Sequence, residues 1–280
     1  MPKISACIVA YCDYEEVCAA VRSILQHTPA PDFALYVVDN GSPDGCGQRL
    51  AGTDFGDARV TVLPLAQNLG FGKGHNAVIP RLDSAVHFIL NPDILLTEDV
   101  LEPMADWLLA RKGAAMATPQ LRYPDGRLQE AGGIIWNDGS GWNYGRLDNP
   151  DKPEYNYVKD VDYISGAAIL LSNELWNQIG GFDTRFAPAY CEDSDLAFEV
   201  RKAGYRVVYQ PKSKVIHFEG VSNGTDVQGT GLKRYQVANS RKLKEKWADE
   251  FAKQCENDGN PDPFRARDRK STRLNSSHSG

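Results

Sequence analysis

The chain has 280 residues, 42% of them hydrophobic and 24% charged, a balance ordinary for a soluble globular protein of one large domain or two small ones. Its formal charge of −6 argues against broad nucleic-acid binding. No apolar run approaches the ~18–20 residues that span a bilayer, and Met1-Pro2-Lys3 leads straight into a strand pattern with no signal peptide before it.

Ile4 to Tyr11 is a short apolar run suited to a buried parallel strand. Tyr14 to His27 has helical spacing through Val17, Ala20, Val21, Ile24 and Leu25, ended by Pro29 and Pro31. Ala34 to Val38 reads as a second strand, broken by the dense turn signal Asp39 to Gly45. Val60 to Leu65 is a third strand, followed by the glycine-rich Asn68 to Asn76. A helix is expected over Gly74 to Leu82, a strand over Ala85 to Leu90, and a helix over Glu98 to Lys112 capped by Thr97. Strands thus alternate with helices over residues 1–115, which predicts an α/β layered fold with a mainly parallel sheet. Such sheets bind ligands beyond the carboxyl ends of their strands. Tyr11, Asp39, Asn68 and Asp93 all fall at such ends.

Residues 120–160 are rich in Gly, Asn, Asp, Trp and Tyr with little periodicity, and read as β-hairpins and loops over the site. Trp136, Trp142 and Tyr144 either stack on a sugar or cover the core edge. Tyr163 to Leu171 returns as a strand, and Glu174 to Ile179 is a short helix ended by Gly180-Gly181. Asp195 to Lys202 is helix-like, Tyr205 to Tyr209 is a strand, and Leu232 to Phe251 is an amphipathic helix. Residues 256–267 read as linker-like chain. Asp268 to His278 matches the translation of a common sequencing-adapter DNA, so 268–280 is read as an artefact. The six cysteines show no CxxC and no pairing pattern, as expected of reduced cytosolic thiols buried as small apolar side chains.

Two acidic segments carry the chemistry. Asp93 follows the strand-like Ala85 to Leu90, and Glu192-Asp193-Ser194-Asp195 opens a helix about 100 residues later. A carboxylate at the exit of a buried strand is well placed to hold a hard cation, and a second one from far along the chain can act as a base. Together they point to metal-assisted group transfer.

An ordered set of short motifs resembles one family. It comprises Ile4 to Tyr11, Val37-Val38-Asp39-Asn40-Gly41-Ser42, Asn68-Leu69-Gly70-Phe71-Gly72, Leu90-Asn91-Pro92-Asp93, Ser165-Gly166-Ala167, Gly180-Gly181-Phe182-Asp183 and Glu192 to Leu196. Over roughly residues 3–250 these resemble the family 2 glycosyltransferases of GT-A fold, with a rhamnosyltransferase-like flavour. The resemblance implies a GT-A three-layer sandwich over residues 1–255. It implies an inverting transfer of a sugar from a nucleotide-diphosphate donor, dTDP-rhamnose as first guess, to a glycan or lipid-linked acceptor in bacterial surface polysaccharide synthesis. A cytoplasmic enzyme, peripheral to the inner face of the plasma membrane, fits that role.

Residue by residue, the resemblance places Asp39, with Asn40 beside it, on the nucleotide base or ribose. Asn68 to Asn76 would run along the nucleotide, with Gly70, Gly72 and Gly74 letting the backbone approach the ligand. Tyr11, Asn76, Asn91 and Gly166 complete the donor-side set. Asn91-Pro92-Asp93 stands where the family has its DxD motif, so Asp93 would hold Mg²⁺ or Mn²⁺, and His217 either completes the metal shell or is a structural hydrogen-bonder. Asp193 matches the catalytic base; Glu192 and Asp195 would support it or cap the helix. Two positions depart from the family pattern: Cys12 replaces an Asn, and Glu199 stands where Arg is frequent.

Three other readings compete. A catalytically weak sugar-nucleotide-binding protein is motivated by Asn91 in place of Asp and opposed by the retained Asp93 and Asp193. A Rossmann oxidoreductase would need glycines at the first strand–helix turn, which is Tyr11-Cys12-Asp13-Tyr14. A nucleotidyltransferase would want a basic phosphate loop there, and Lys73 alone is poor support.

Overall fold

The computed structural model describes residues 3–219 and 232–257; the expectations for 268–280, and for nearly all of 256–267, lie outside the described residues. Strand β1 (Ile4–Ala10) is buried at all seven positions. Its alternate side chains enter opposite cores: Ile4, Ala6, Ile8 and Ala10 on one face, Cys7 and Val9 on the other. A strand covered on both faces reads as a continuous apolar run, which is the reason the pattern Ile4 to Ala10 shows no polar alternation.

Helix α1 (Tyr14–His27) packs Val17, Val21 and Ile24 into the first core. Strand β2 (Phe33–Asp39), helix α2 (Cys46–Gly52), strand β3 (Val60–Pro64), helix α3 (Phe71–Asn76) and strand β4 (Val86–Leu90) follow. The parallel ladder β3–β2–β1–β4 is the heart of the sheet. Then come β5 (Ile94–Leu95), α4 (Leu101–Leu109), β6 (Ala114–Arg122), β7 (Leu128–Glu130), β8 (Gly133–Ile135), β9 (Gly141–Asn143) and β10 (Lys159–Asp160). The chain continues through β11 (Ala168–Ser172), α5 (Asn173–Ile179), α6 (Glu192–Lys202), β12 (Arg206–His217), α7 (Tyr235–Lys246) and α8 (Ala248–Phe251).

Among the described residues the main sheet has ten strands in the order β10-β12-β6-β11-β4-β1-β2-β3, with β5 on β12 and β7 on β6. β12 and β6 are parallel, and β11 runs antiparallel between β4 and β6. Helices α1, α2 and α4 cover one face; α5, α6, α7 and α8 pack on the other around Trp136, Trp176 and Phe198. This is the expected α/β three-layer arrangement.

Several local expectations change. The helix expected over Glu98 to Lys112 spans Leu101–Leu109, its N-cap is Val100, and the side chain that accepts a first-turn N–H is Asp99, from Glu102 at 3.4 Å, rather than Thr97. Pro103 sets that start, because a proline ring clashes with the carbonyl four residues back in a longer helix. The helix expected from Gly74 starts at Phe71, inside the glycine-rich segment, and stops at Asn76. β6 runs through Pro119, which argues locally against a central strand. Residues 163–167 leave the strand pattern and form a loop, while β12 extends far past Tyr209 through register shifts near Gln210. The helix expected over Leu232 to Phe251 breaks at Trp247.

Candidate active site

The pairing of β5 with the end of β12 builds the first half of the site. His217 lies opposite Ile94 in the antiparallel register, and the Phe218 N–H donates to the Asp93 carbonyl at 3.0 Å. The His217 Nε2 consequently sits 3.2 Å from Asp93 Oδ1, with both side chains buried. Asn91 Nδ2 lies 3.2 Å from the same ring nitrogen. Asp93 Oδ1 has no hydrogen-bond partner. A buried carboxylate oxygen without a donor, facing an imidazole nitrogen, is a donor set suited to a cation. Among the described residues no third His, Cys, Asp or Glu completes a cluster. The pair therefore suits an ion that takes its remaining ligands from a bound diphosphate or water.

The second half comes from β11 and α6. The β4–β11 ladder continues beyond Leu90↔Ala168, so that the Asn91 N–H donates to the Ala167 carbonyl at 3.0 Å. The adjacent Gly166 N–H donates to Asp193 Oδ2 at 3.1 Å. Asp193 stands in the first turn of α6, where Oδ1 accepts the Ser194 N–H at 2.6 Å. The loop before it holds Tyr190 and Cys191 at φ 77° and 75°, a left-handed backbone that costs non-glycine residues energy. The buried Asn239 of α7 stabilises that loop: its Nδ2 lies 2.6, 2.8 and 3.1 Å from the carbonyls of Phe186, Ala189 and Tyr190.

Burial raises the carboxyls of both Glu192 and Asp193 above the ordinary range, and the charge of Asp193 adds to the rise at Glu192. The Ser194 and Gly166 N–H groups work against the rise at Asp193. Two adjacent carboxylates pushed up in this way are a common acid–base arrangement. Asp195 differs in role: Lys246 Nζ lies 2.7 and 2.9 Å from its two oxygens and the Trp247 indole donates to it at 2.7 Å. It ties α6 to α7, as a supporting residue.

One cleft of about 1060 Å³ contains Asn91, Asp93, Gly166, Asp193 and His217. A family model described as "Glycosyltransferase like family 2" matches residues 2–248. The chain belongs to this family. It is 30% identical over 213 residues to protein y4gI of Sinorhizobium fredii, covering 74% of this chain and 23% of that one. It is 27% identical over 222 residues to the N-acetylglucosaminyl-diphospho-decaprenol L-rhamnosyltransferase of Mycobacterium tuberculosis, covering 69% of each chain. The fold is similar to GalNAc-T7 crystallised with UDP, GalNAc and Mn²⁺, at a TM-score of 0.69 and 13% identity, over 89% of this chain and 50% of that one. The chain thus spans under a quarter of y4gI and half of the GalNAc-T7 chain, and its fold is GT-A.

Glu192 also lines this cleft, whereas Tyr11, Asp39, Asn40, Asn68, Gly70, Gly72 and Asn76 do not. Tyr11 is exposed beyond β1. Asp39 ends β2 and is buried, and Gly47 lies so close that a Cβ there would sit 2.1 Å from Asp39 Oδ2. Asn40 shapes the Asn68–Gly70 turn: its Oδ1 accepts the Leu69 N–H at 2.9 Å and its Nδ2 donates to Asn68 Oδ1 at 3.0 Å. Gly70, at φ 83°, has room for no Cβ because the Pro188 carbonyl oxygen would be 2.5 Å away, and Gly72 abuts Phe182. Protein packing is by itself a steric reason for both glycines. Asn76 is likewise committed to the protein, donating to the Phe182 carbonyl and accepting the Phe182 N–H, both at 2.8 Å.

Of the three aromatics offered as sugar platforms, Trp136 is a fully buried core residue and Tyr144 is buried against Tyr155. Trp142 alone is exposed, at 38%, and lines the cleft. The sequence reading missed Gln129, Glu130, Arg146, Glu219 and Asn239. The adjacent pair Gln129-Glu130 was the sole local signal, since two buried polar residues in a strand need partners.

Proposed function

We propose that this chain is an inverting glycosyltransferase, moving a sugar from a nucleotide-diphosphate donor to a hydroxyl of a glycan or lipid-linked acceptor in surface polysaccharide synthesis. The observation that carries the reading is Asp193 lining the same cleft as the Asp93–His217 pair. Asp193 takes the acceptor hydroxyl proton while that oxygen bonds to the anomeric carbon. The bond from that carbon to the diphosphate oxygen breaks, and the nucleoside diphosphate leaves with the electron pair. Attack opposite the leaving group inverts the anomeric centre. A carboxyl raised by burial is the stronger base for this proton, and the Gly166 and Ser194 N–H groups orient it.

Asp93 and His217 would hold Mg²⁺ or Mn²⁺, and such an ion supplies positive charge beside the departing diphosphate. Tyr11, Asp39, Asn40 and Asn68, at the carboxyl ends of β1, β2 and β3, form the nucleoside side. Trp142 offers its face to the acceptor sugar. The Mn²⁺ and UDP in the GalNAc-T7 structure support the metal and the donor class. The name of the mycobacterial relative supports dTDP-rhamnose as donor and a polyprenyl-diphosphate sugar as acceptor. No described helix is long and apolar enough to cross a membrane, and the reading places the chain at the cytoplasmic face, reaching its lipid-linked acceptor from there.

The test is a panel of nucleotide sugars with N-acetylglucosaminyl-diphospho-lipid as acceptor, with and without Mn²⁺. Metal-dependent transfer with an inverted anomeric product is expected. Tight donor binding with no transfer or hydrolysis across the panel would favour the catalytically weak binding protein instead.

A further inference from the structure

A polar chain that the reaction as described does not use runs from His217 through the buried Gln129 to Glu219 and Arg146 at the wall of the cleft. His217 Nδ1 is 2.8 Å from Gln129 Oε1, and Gln129 is itself buried at 2% exposure. Gln129 Nε2 in turn lies 3.5 Å from Glu219 Oε2. Glu219 is gripped by Arg146, whose two terminal nitrogens lie 3.1 and 3.0 Å from its oxygens, and by the Tyr123 hydroxyl at 2.6 Å. We propose that Gln129 is a positioning residue that holds His217 in the Nδ1–H tautomer and so turns the Nε2 lone pair into the cleft toward Asp93.

The orientation of a glutamine amide cannot be taken from its shape alone. Glu219 decides it here. With the amide reversed, the Gln129 carbonyl oxygen would face the Glu219 carboxylate, acceptor against acceptor. With Nε2 toward Glu219, Oε1 must face His217, and an amide oxygen accepts only from a protonated Nδ1. On the other side of the ring the Asn91 side-chain amide stands 3.2 Å from Nε2. Asp93 Oδ1, also 3.2 Å from Nε2, has no hydrogen-bond partner. Gln129 sits at a bulge of β7, held on either side by the pairs Arg122↔Leu128 and Leu121↔Glu130 with β6.

The consequence for a cation rests on the reading of Asp93 and His217 as its ligands; the tautomer does not. Partners behind a metal-ligating histidine are worth roughly 10–100-fold in affinity. The experiment uses the full chain labelled with ¹⁵N-histidine at pH 8, with long-range ¹H–¹⁵N correlation spectra. His217 is identified among the five histidines by the signals missing from His217→Asn. The wild type should give the Nδ1–H pattern. Gln129→Leu should lose it to a mixture or to Nε2–H, and should bind Mn²⁺ in the presence of a nucleoside diphosphate about 10–100-fold more weakly. Gln129→Glu keeps an acceptor and should retain the wild-type pattern; Gln129→Met repeats the Leu test with an unbranched chain should the Leu variant fold poorly. An Nε2–H pattern in the wild type, or an unchanged pattern in both Leu and Met variants, overturns the proposal. If the wild type binds no Mn²⁺ yet the tautomer shifts as expected, the positioning role of Gln129 stands and the cation reading of the pair falls.

Discussion

Asp193 Oδ2 accepts the N–H of Gly166 at 3.1 Å, and through that bond the proposed base is coupled to the strand end that carries Asp93. The residue after Gly166, Ala167, takes the Asn91 N–H. The short loop that leads into β11, through Gly166 and Ala167, therefore positions both halves of the cleft, and a shift in it would move Asp193 and the Asn91-Pro92-Asp93 segment together.

A base that removes the acceptor proton contributes roughly 10²–10⁴-fold to rate. Asp193→Asn keeps the size of the side chain and one acceptor oxygen for Gly166, but cannot take the proton. kcat should fall by about that factor, with donor affinity within a few-fold. Steady-state transfer and donor titration on the same variant decide it. Weakened affinity with kcat little changed would mean that Asp193 binds rather than catalyses.

Asp93 is 5% exposed and its Oδ1 lacks a partner. Asp93→Ala removes an uncompensated buried acceptor, so the fold should survive with an unchanged or raised Tm. Mn²⁺-dependent binding of the nucleoside diphosphate should drop at least about tenfold by titration calorimetry. Equal Mn²⁺ dependence in variant and wild type would remove Asp93 from the metal site.

Glu130 is fully buried, and burial pushes its carboxyl up to about 8 from 4.5, against the Ser165 N–H and with the charges of Asp193 and Glu219 adding to the rise. The folded state thus holds this proton more tightly than the unfolded chain. The associated stability is complete below about pH 4.5 and is lost as pH climbs toward and through 8. Glu130→Gln keeps an oxygen for Ser165 and does not titrate. Relative to wild type it should gain up to about 3 kcal/mol between pH 4.5 and 7, at 1.4 kcal/mol per pH unit. Denaturant melts of both proteins across that range measure the gap. Parallel curves would show that Glu130 is already ionised in the folded protein.

Asn76 holds the backbone of Phe182 by two hydrogen bonds. Asn76→Ala leaves a peptide unit without either partner and should cost about 1–3 kcal/mol of stability. Donor affinity should stay within about twofold. A large loss of nucleotide binding with an unchanged Tm would return Asn76 to the donor site.

Strands β1 to β4, helix α1 and the ordered family motifs were legible along the chain, whereas α2 and β5 were not. Apolar runs and helical spacing report burial within a segment, and β1, α1, β2, β3 and β4 each bury a local pattern against a layer. What a segment meets is a matter of long-range pairing, which no local period encodes. The β5–β12 register brings His217 to Asp93 across the fold. Gly70 and Gly72 face Pro188 and Phe182, where a sequence reader supplies a ligand. Trp136 and Trp142, six residues apart, were alike on paper; the fold buries one and leaves the other exposed to the cleft. Gln129 and Glu130 gained roles only when β7 paired with β6 and set them beside His217 and Ser165. Burying a polar group is costly unless a partner is present, and for those two residues the partner is a side chain or amide from a distant part of the chain.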